Sequence, residues 1–362
     1  MIKCALLLVL LAPFCAQASR LPCWIFLKDK AGSVYDPYTW LDEKAIARRQ
    51  REGFDLHHRG DYPVSESYLA QVRALSDTVL FASRWLNALA AYVQPEQLEA
   101  LKKLPFVLEV EVRTGGGMHT LADEAQAARE LDADDLELLK YQTGRMQGDL
   151  FQQKGVTGKG VRIAVLDAGF TNAHIAPELA HLWRNNQIIR TYDFVRDKEQ
   201  LTYKDGVHGA MVLSCIAGQH GEHRMGLAPD AEFMLARTEY NKREVFAEEV
   251  FWLKAAEWAD RWGADIINSS LGYAEQRYFY ANMNGRDALV SRAANAAAHR
   301  GILVVNAAGN EGSDDWKFIG APADADSVLT VGGIDPYSDT KVDFSSWGPT
   351  YDRRLKPNVA AP

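Results

Sequence analysis

The sequence predicts an α/β protein in which a doubly wound parallel sheet follows a smaller α/β domain. From about residue 154 onward, short apolar runs alternate with segments of helical length, a pattern typical of strand–helix–strand units. The run Val161–Leu166 is apolar at five of its six positions, as expected for a strand buried on both faces. Residues 115–140 open with three glycines and continue as an acidic run without a core face, which is typical of a linker or an exposed helix.

The N-terminal third has the pattern of a small strand–helix–strand module. Leu21–Leu27 and Ser83–Val93 have strand character, and Val107–Val112 alternates apolar and acidic residues like a half-exposed strand. Gln94–Glu96 opens a short amphipathic helix with three leucines on one face, Leu98, Leu101 and Leu104. The polar, basic region Pro37–Gly53 predicts helix and loop.

Strands and helices alternate through the rest of the chain. Further strands are predicted at Phe233–Arg237, Ala264–Leu271, Ile302–Val305 and Val328–Val331. Helices are predicted at Asp205–Gly218, Ala247–Trp262 and Arg286–Arg300. The predicted organisation is therefore a small domain at residues 19–114, a linker at 115–150 and the main domain at 151–362.

The N-terminus has the three-part pattern of a secretory signal. Lys3 precedes the apolar block Ala5–Pro13, and the small residues Ala16–Ala18 follow it. We therefore expect residues 1–18 to be a signal peptide and the protein to be secreted. Lipid attachment through Cys15 is the weaker alternative, because bulky Phe14 precedes the thiol.

Charge and cysteine content narrow the function classes. The net charge of −8 and the pI near 5.7 argue against nucleic-acid binding, and no apolar run reaches the length of a membrane span. Without the signal, Cys23 and Cys215 remain, in different predicted domains. Because the two cysteines are far apart in the sequence and lie in different predicted domains, a buried free thiol at Cys215 is favoured over a disulfide.

Three polar residues stand at positions where α/β proteins place their chemistry. Asp167 ends the first strand of the main domain, His208 lies among small residues at a helix start, and Asn310 follows a strand on a glycine-flanked turn. Taken singly, each is more often a cap, a structural histidine or a turn former. Together they have the residue types that acyl transfer needs: a carboxylate that orients an imidazole, a general base, and an amide that stabilises an oxyanion.

The blocks around these residues resemble the subtilase family of subtilisin-like serine peptidases, from about Gly155 to Pro362. The Asp block is T-G-K-G-V-R-I-A-V-L-D-A-G-F, with Ala168 where Ser or Thr is commoner; the His block is D-G-V-H-G-A-M-V-L-S-C-I-A-G, with Ala210 where Thr is usual. Four further blocks follow in the family's order, I-I-N-S-S-L-G-Y, V-V-N-A-A-G-N-E-G, V-D-F-S-S-W-G-P and L-K-P-N-V-A-A-P. Asp before His, with an oxyanion Asn later and the nucleophile last, is also one of the known chain orders of the Ser–His–Asp triad.

The resemblance implies a role for each candidate residue. Asp167 would orient His208, His208 would be the general base, and Asn310 would donate to the oxyanion. Three residues of the cleft strand would flank the S1 pocket and bind the backbone of the substrate, namely Ser270, Leu271 and Gly272. Protein or peptide substrates are the implied partners, and a monomer is the expectation. No cofactor is predicted; calcium stabilises many subtilases, but no acidic loop here specifies a site.

The N-terminal module is similar to the inhibitor-like propeptide of the family. The resemblance implies that it chaperones folding, occupies the cleft and is cut away somewhere within Gly115–Thr143. Since a small α/β module can also be an unrelated accessory domain, that alternative stays open.

The family's nucleophilic serine lies in a G-T-S-x-A-type motif beyond the block that ends at Pro362. The four serines within the other blocks are poor substitutes, namely Ser269, Ser270, Ser345 and Ser346. We therefore expect a C-terminally truncated serine endopeptidase precursor that is itself inactive. The alternative is a catalytically inactive peptide-binding protein or a decayed gene fragment; an α/β hydrolase would need a G-x-S-x-G elbow.

Two further polar pairs have simpler explanations. His220 and His223 suggest a metal site, but they lie in a predicted loop with no evident third ligand. Glu248 and Glu249 begin a predicted helix, where acidic side chains suit the helix dipole.

Overall fold

The computed structural model describes residues 20–113, 133–240, 245–275 and 277–362. The predicted signal segment and the first part of the predicted linker lie outside the described residues. The strands are β1 (Leu21–Leu27), β2 (Thr78–Ser83), β3 (Ala88–Val93), β4 (Val107–Val112), β5 (Arg162–Asp167), β6 (Ile188–Asp193), β7 (Gln219–His220), β8 (His223–Arg224), β9 (Glu232–Arg237), β10 (Ile266–Ser269), β11 (Leu303–Ala307), β12 (Val328–Gly333) and β13 (Val359–Ala361).

The helices lie between these strands along the chain. They are α1 (Pro37–Trp40), α2 (Glu43–Arg51), α3 (Glu66–Ala74), α4 (Leu98–Lys102), α5 (Ala133–Arg145), α6 (Gly148–Gln153), α7 (Ala180–Arg184), α8 (His208–Ala217), α9 (Phe246–Arg261) and α10 (Leu289–Ala298). Short 3₁₀ turns lie at Arg59–Asp61, Pro95–Gln97, Pro177–Leu179 and Tyr280–Asn282.

The N-terminal domain is built on a four-stranded antiparallel sheet with strand order β2-β3-β1-β4. Its central strand β1 is apolar on both faces because each face packs against a different core. Trp24 and Phe26 belong to a core shared with α9, whereas Cys23 and Ile25 pack into the domain's own core. The alternation of side chains along a strand explains how one apolar run serves two layers.

The single strand predicted at residues 83–93 is in fact the last residue of β2, a turn and the whole of β3. β2 ends at Ser83 and β3 begins at Ala88, and Asn87 in the turn has a φ of 49°. Asparagine tolerates this left-handed conformation better than most residues, so the reversal takes place there.

The main domain contains a seven-stranded parallel sheet with strand order β13-β12-β11-β10-β5-β9-β6. Both faces are covered by helices. Ala164 and Leu166 of β5 pack into the core that includes α9 and α10, whereas Ile163 and Val165 face the core that includes α8. The predicted doubly wound α/β fold is confirmed.

The antiparallel sheet of the N-terminal domain packs against α9 of the main domain. Trp24 contacts Phe246 edge-on, with ring centroids 6.0 Å apart. The Ser83 hydroxyl donates to a Glu257 carboxylate oxygen at 2.6 Å. The two domains therefore share one continuous apolar core with a polar contact at its border.

The thiol of Cys215 is exposed, so the prediction that it is buried is wrong. Leu213 and Ala217 on α8 face the core, whereas Met211 and Cys215, one turn apart, point away from it. Cys23 on β1 is the buried free thiol. Within the described parts of the chain, no helix is both long and apolar enough to span a bilayer.

Parallel strands give the sheet two distinct edges. We call the edge where the strands end, at Asp167, Arg237 and Ser269, the carboxyl edge, and the opposite edge, at Arg162 and Glu232, the amino edge. The predicted site residues follow strands that end at the carboxyl edge, where open α/β sheets bind ligands.

Candidate active site

Asp167 is the last residue of β5 and lies in the middle of the sheet, between β9 and β10. Its side chain is fully buried, and one carboxylate oxygen accepts the Ala168 backbone N–H at 2.8 Å. The Asp167 backbone carbonyl accepts from the N–H of Thr238 at 3.0 Å, which fixes the strand end against its neighbour. A carboxylate held in this way has little freedom to reorient.

His208 is the first residue of α8, and two glycines allow its segment to approach β5. A Cβ on Gly169 would lie 1.5 Å from the backbone oxygen of Asp205, and a Cβ on Gly209 would lie 2.5 Å from the carbonyl oxygen of Gly169. Only residues without a side chain fit at these two positions. This close approach of the backbones is what brings His208 to the end of β5.

The structure joins Asp167 and His208 directly. The Nδ1 atom of His208 lies 2.9 Å from Oδ1 and 3.0 Å from Oδ2 of Asp167. The His208 side chain is 33% exposed, whereas that of Asp167 is inaccessible. An Nδ1–H that is donated to a carboxylate leaves the lone pair of the neutral ring on Nε2, so that this atom can accept a proton.

Burial raises the pKa of Asp167 above its ordinary value, while the hydrogen bond and the charge of His208 act in the opposite direction. The charge of this carboxylate therefore depends on its contact with the imidazole. Such a pair stabilises an imidazolium when the ring takes up a proton.

Asn310 lies on the exposed loop after β11, whose last strand residue is Ala307. Gly309, just before it, has a φ of 111°, a conformation that favours glycine. The loop is thus on the carboxyl edge, as predicted. The oxyanion role of Asn310 stays a prediction.

Ser270, Leu271 and Gly272 directly follow β10 at the same edge. The side-chain amide of Asn306 on β11 donates to the Leu271 carbonyl at 3.0 Å, and Tyr273 exchanges two backbone hydrogen bonds with Ala321. The segment is therefore held on both sides. Its substrate-binding role stays a prediction.

Three of the four serines in the family-like blocks have polar partners of their own. Trp252 Nε1 donates to the hydroxyl of Ser269 at 3.0 Å, and the N–H of Gly333 donates to that of Ser345 at 2.9 Å. Ser346 donates to a carboxylate oxygen of Glu311 at 2.7 Å. These contacts agree with structural roles for the three hydroxyl groups.

The histidines considered as metal ligands pair across a small hairpin. His220 on β7 faces His223 on β8 in an antiparallel register. Among the residues that the structure describes, no group of three or more His, Cys, Asp or Glu side chains is arranged to hold a metal ion. The donor set for a calcium or zinc site is therefore not evident there, and the expectation of no cofactor stays a prediction.

Sequence reasoning missed a charged cluster beside the Asp–His pair. Arg237 at the end of β9 is buried and lies between Asp167 and Asp193, which end the two adjacent strands. Asp205, three residues before His208, completes the cluster with an ion pair to Arg196. A charged residue at the end of an apolar strand is a signal of this cluster, but its partners depend on the strand order.

Comparison with known proteins gives matches along most of the chain. The model of the subtilase family matches residues 158–362, and that of the Bacteroidota peptidase S8 propeptide domain matches residues 22–128. Serine protease AprX of Bacillus subtilis is 30% identical over 270 residues, which are 69% of this chain and 57% of that protein. Subtilisin E of the same species is 28% identical over 273 residues, 74% of this chain and 61% of that protein. The chain thus spans about three fifths of the length of these relatives.

Solved structures show the same fold. The epidermin leader peptide processing serine protease of Staphylococcus aureus has a TM-score of 0.56 and 18% identity, with 95% of this chain and 75% of that chain covered. Fervidolysin of Fervidobacterium pennivorans has a TM-score of 0.55 and 17% identity, with 91% and 46% covered. With the family model matching more than half of the residues, and with a propeptide domain before it, the chain belongs to the subtilase family.

Proposed function

We propose that the complete protein is the precursor of an exported endopeptidase that hydrolyses peptide bonds through an Asp–His–Ser triad. Asp167 orients His208, His208 acts as the general base, and Asn310 donates to the oxyanion. The observation that carries the proposal is the direct contact of a fully buried carboxylate with a partly exposed imidazole, at 2.9 Å. Membership of the subtilase family supports the reaction class.

The proposed reaction begins when Nε2 of His208 takes the proton of a serine hydroxyl. The oxygen attacks the scissile carbonyl, and the resulting oxyanion accepts a hydrogen bond from the Asn310 side chain. His208 then gives its proton to the leaving amine as the peptide C–N bond breaks. Water attacks the remaining ester by the same route, which releases the carboxylic acid and restores the serine.

The proposed nucleophile belongs to a segment that follows Pro362 in the complete protein. Support comes from the family order of the blocks and from the share of AprX and subtilisin E that this chain covers, 57% and 61%. A G-T-S-x-A-type motif within a few dozen codons downstream of Pro362 is the expected finding. A stop codon directly after Pro362 would contradict this part of the proposal.

The proposal also assigns roles to the N-terminal domain and to the loop after β10. The propeptide domain covers α9 and is expected to inhibit the cleft until the chain is cut after it. Ser270, Leu271 and Gly272 are proposed to bind the substrate backbone, since they leave β10 at the carboxyl edge. Export by residues 1–18 is part of the same proposal.

Replacement of the proposed base tests the assignment. In the complete protein, His208→Ala is expected to lower kcat for peptide hydrolysis about 10⁶-fold, the loss already known for the general base of subtilisin. His299→Ala is the matched control, because this exposed histidine follows α10 at the amino edge and should leave turnover unchanged. Near-normal turnover of His208→Ala would overturn the assignment.

Labelling of the complete protein with a fluorophosphonate probe separates the proposal from its alternative. Labelling of the wild type that is lost in His208→Ala supports an activated serine. Absence of both labelling and hydrolysis, together with retained binding of peptides, would favour the inactive peptide-binding protein.

A further inference from the structure

The register of the parallel sheet places three charged residues in one row at the carboxyl edge. Asp167 of β5 is opposite Arg237 of β9, and Arg237 is opposite Asp193 of β6. All three are the last residues of their strands, and all three side chains are buried. A buried cation between two carboxylates requires hydrogen-bond partners, because an unpaired one would be costly.

The guanidinium group of Arg237 contacts both segments that carry the Asp–His pair. Nε donates to the backbone carbonyl of Ala168, directly after Asp167, at 3.0 Å. Nη1 lies 3.3 Å from Asp193 Oδ2 and 3.8 Å from Asp205 Oδ2. One planar group therefore links the end of β5 to the loop that leads into α8.

Asp205 is itself held in place from the other side. Arg196 Nη2 donates to Asp205 Oδ1 at 2.7 Å, and the Thr202 hydroxyl donates to Oδ2 at 2.5 Å. The hydrogen bond from Arg196 lowers the pKa of Asp205 to about 2. The hydrogen bond from Thr202 and the positive charge of Arg237 act in the same direction. The carboxylate is thus ionised at neutral pH and stays paired.

The loop held by Asp205 is the one that packs on the residues after Asp167. The backbone oxygen of Gly206 accepts from the N–H of Thr171 at 2.7 Å, and the N–H of Gly209 donates to the Gly169 carbonyl at 2.9 Å. His208 lies between these two hydrogen bonds. A shift of the loop relative to β5 would therefore change the distance between the imidazole and Asp167.

We propose that Arg237 is a positioning residue, which clamps the Ala168 carbonyl and the Asp205 carboxylate so that His208 stays within hydrogen-bonding distance of Asp167. The cluster holds two guanidinium groups, Arg196 and Arg237, and two carboxylates, Asp193 and Asp205. These charges balance, so Arg237 acts through the geometry of its contacts rather than through a net charge beside Asp167. The expected effect of Arg237 on catalysis rests on the proposed function. Its expected effect on the position of His208 does not.

Two variants of Arg237 and one matched control test the clamp. Arg237→Met removes both contacts, whereas Arg237→Lys keeps the charge but cannot reach the carbonyl and the carboxylates with one ammonium group. The control is Arg162→Met at the other end of the same strand pair. Arg162 pairs with Glu232 and Asp42 at the amino edge, so its loss removes comparable ion pairs far from His208.

The first measurement needs no turnover. In the whole chain labelled with ¹⁵N-histidine, the proton on Nδ1 of His208 is expected at low field, because it lies in a hydrogen bond to a carboxylate. Arg237→Met should move this resonance upfield or broaden it by exchange with water. Arg237→Lys should have a smaller effect, and Arg162→Met should leave the resonance in place.

The second measurement uses the complete protein with its nucleophile. A displacement of the imidazole by about 1 Å lowers kcat by about 10²-fold. Arg237→Met is expected to lose this much in kcat with KM nearly unchanged, and Arg237→Lys is expected to recover part of it. A purely structural role would instead lower the unfolding temperature equally in Arg237→Met and Arg162→Met, with kcat of the folded fraction retained.

An unchanged low-field resonance in folded Arg237→Met would overturn the proposal. If Arg237→Met does not fold, Arg237→Lys is the test. An unchanged resonance and an unchanged kcat in Arg237→Lys would show that the guanidinium group of Arg237 is not needed. A protein without any peptidase activity that still loses the resonance on replacement of Arg237 would refute the proposed function and leave the clamp intact.

Discussion

Charged side chains are buried at both edges of the parallel sheet, in different surroundings. At the amino edge, α2 lies across the C-terminal ends of α9 and α10, and Arg49 contacts both Asp61 and Asp260. These side chains are almost completely inaccessible. At the carboxyl edge, the partner of the buried Asp167 is an imidazole that is one third exposed.

The amino edge forms a closed network between the two domains. Arg48 donates to the backbone carbonyls of Ala264 and Arg300, just beyond the ends of α9 and α10, where the helix dipoles favour a cation. Burial acts to raise the pKa of Asp61, but the nearby arginines, Arg300 and Arg49, outweigh it and hold this pKa below its ordinary value. Asp61 therefore stays ionised at neutral pH, and its ion pair with Arg300 links the two domains.

The carboxyl edge differs because one member of its pair is an imidazole that is partly open to solvent. Buried charged side chains thus occur both at the interface between the two domains and at the candidate active site. What distinguishes the candidate active site is that the partner of its buried carboxylate is a partly solvent-exposed imidazole rather than a buried guanidinium group.

The largest expected effect is at the amino edge. Arg49→Met leaves Asp61 and Asp260 each with one guanidinium partner fewer, which should lower the free energy of unfolding by about 3–5 kcal/mol. Urea unfolding of the whole chain, followed by tryptophan fluorescence, measures this loss. Arg51→Met is the control on the same helix: its side chain is 62% exposed, and its replacement should change stability by less than about 0.5 kcal/mol. Equal effects of the two variants would show that the closed network contributes little.

The next effect tests the chemistry of the carboxyl edge. Asn310→Ala in the complete protein should lower kcat by about 10²- to 10³-fold, the range already known for the loss of one oxyanion donor in subtilisin. KM should change little, because a hydrogen bond from Asn310 to the oxyanion would form only in the transition state. Asn185→Ala, at an exposed asparagine that directly follows α7, should leave kcat unchanged. A kcat within twofold of the wild type in Asn310→Ala would remove this residue from the site.

Local sequence patterns were sufficient to predict the carboxyl edge. The run V-R-I-A-V-L-D indicates a strand that is buried on both faces, and the small residues around His208 indicate a close approach of the backbone. Both features depend on residues that are neighbours in the sequence. The contact between Asp167 and His208, 41 positions apart, was expected from the residue types that acyl transfer needs and from the resemblance to the subtilase family.

The amino edge could not be predicted in the same way. Arg48 and Arg49 lie in a polar, basic stretch, and nothing in E-K-A-I-A-R-R-Q-R distinguishes a buried arginine from a solvated one. Their burial arises from contacts with residues more than 200 positions away. Glu248 lies in the first turn of α9, as expected, but its burial and its contacts with the N–H groups of Tyr240 and Val245 were not predicted.

Asp324 is a buried carboxylate of another kind, because its hydrogen bonds come from neutral donors, the Ser291 hydroxyl and the N–H of Gly285. Burial raises its pKa to about 6, against an ordinary 3.8, so the folded chain binds a proton that the unfolded chain has already lost. The stability from this group is complete below about pH 4 and is lost as pH rises through 6, a change of about 2–3 kcal/mol.

Asp324→Asn should remove this contribution, because an amide keeps an acceptor oxygen and does not titrate in this range. The difference in unfolding free energy between the variant and the wild type should therefore shift in favour of the variant between about pH 4 and pH 7, as measured by urea unfolding at several pH values. The control Asp315→Asn, at an exposed position, should follow the wild-type profile. Parallel profiles for Asp324→Asn and the wild type would mean that neutral donors stabilise a buried carboxylate here as well as the arginines stabilise Asp61. In that case the charge of the hydrogen-bond partner would not explain why the pKa of Asp61 is lowered and that of Asp324 is raised.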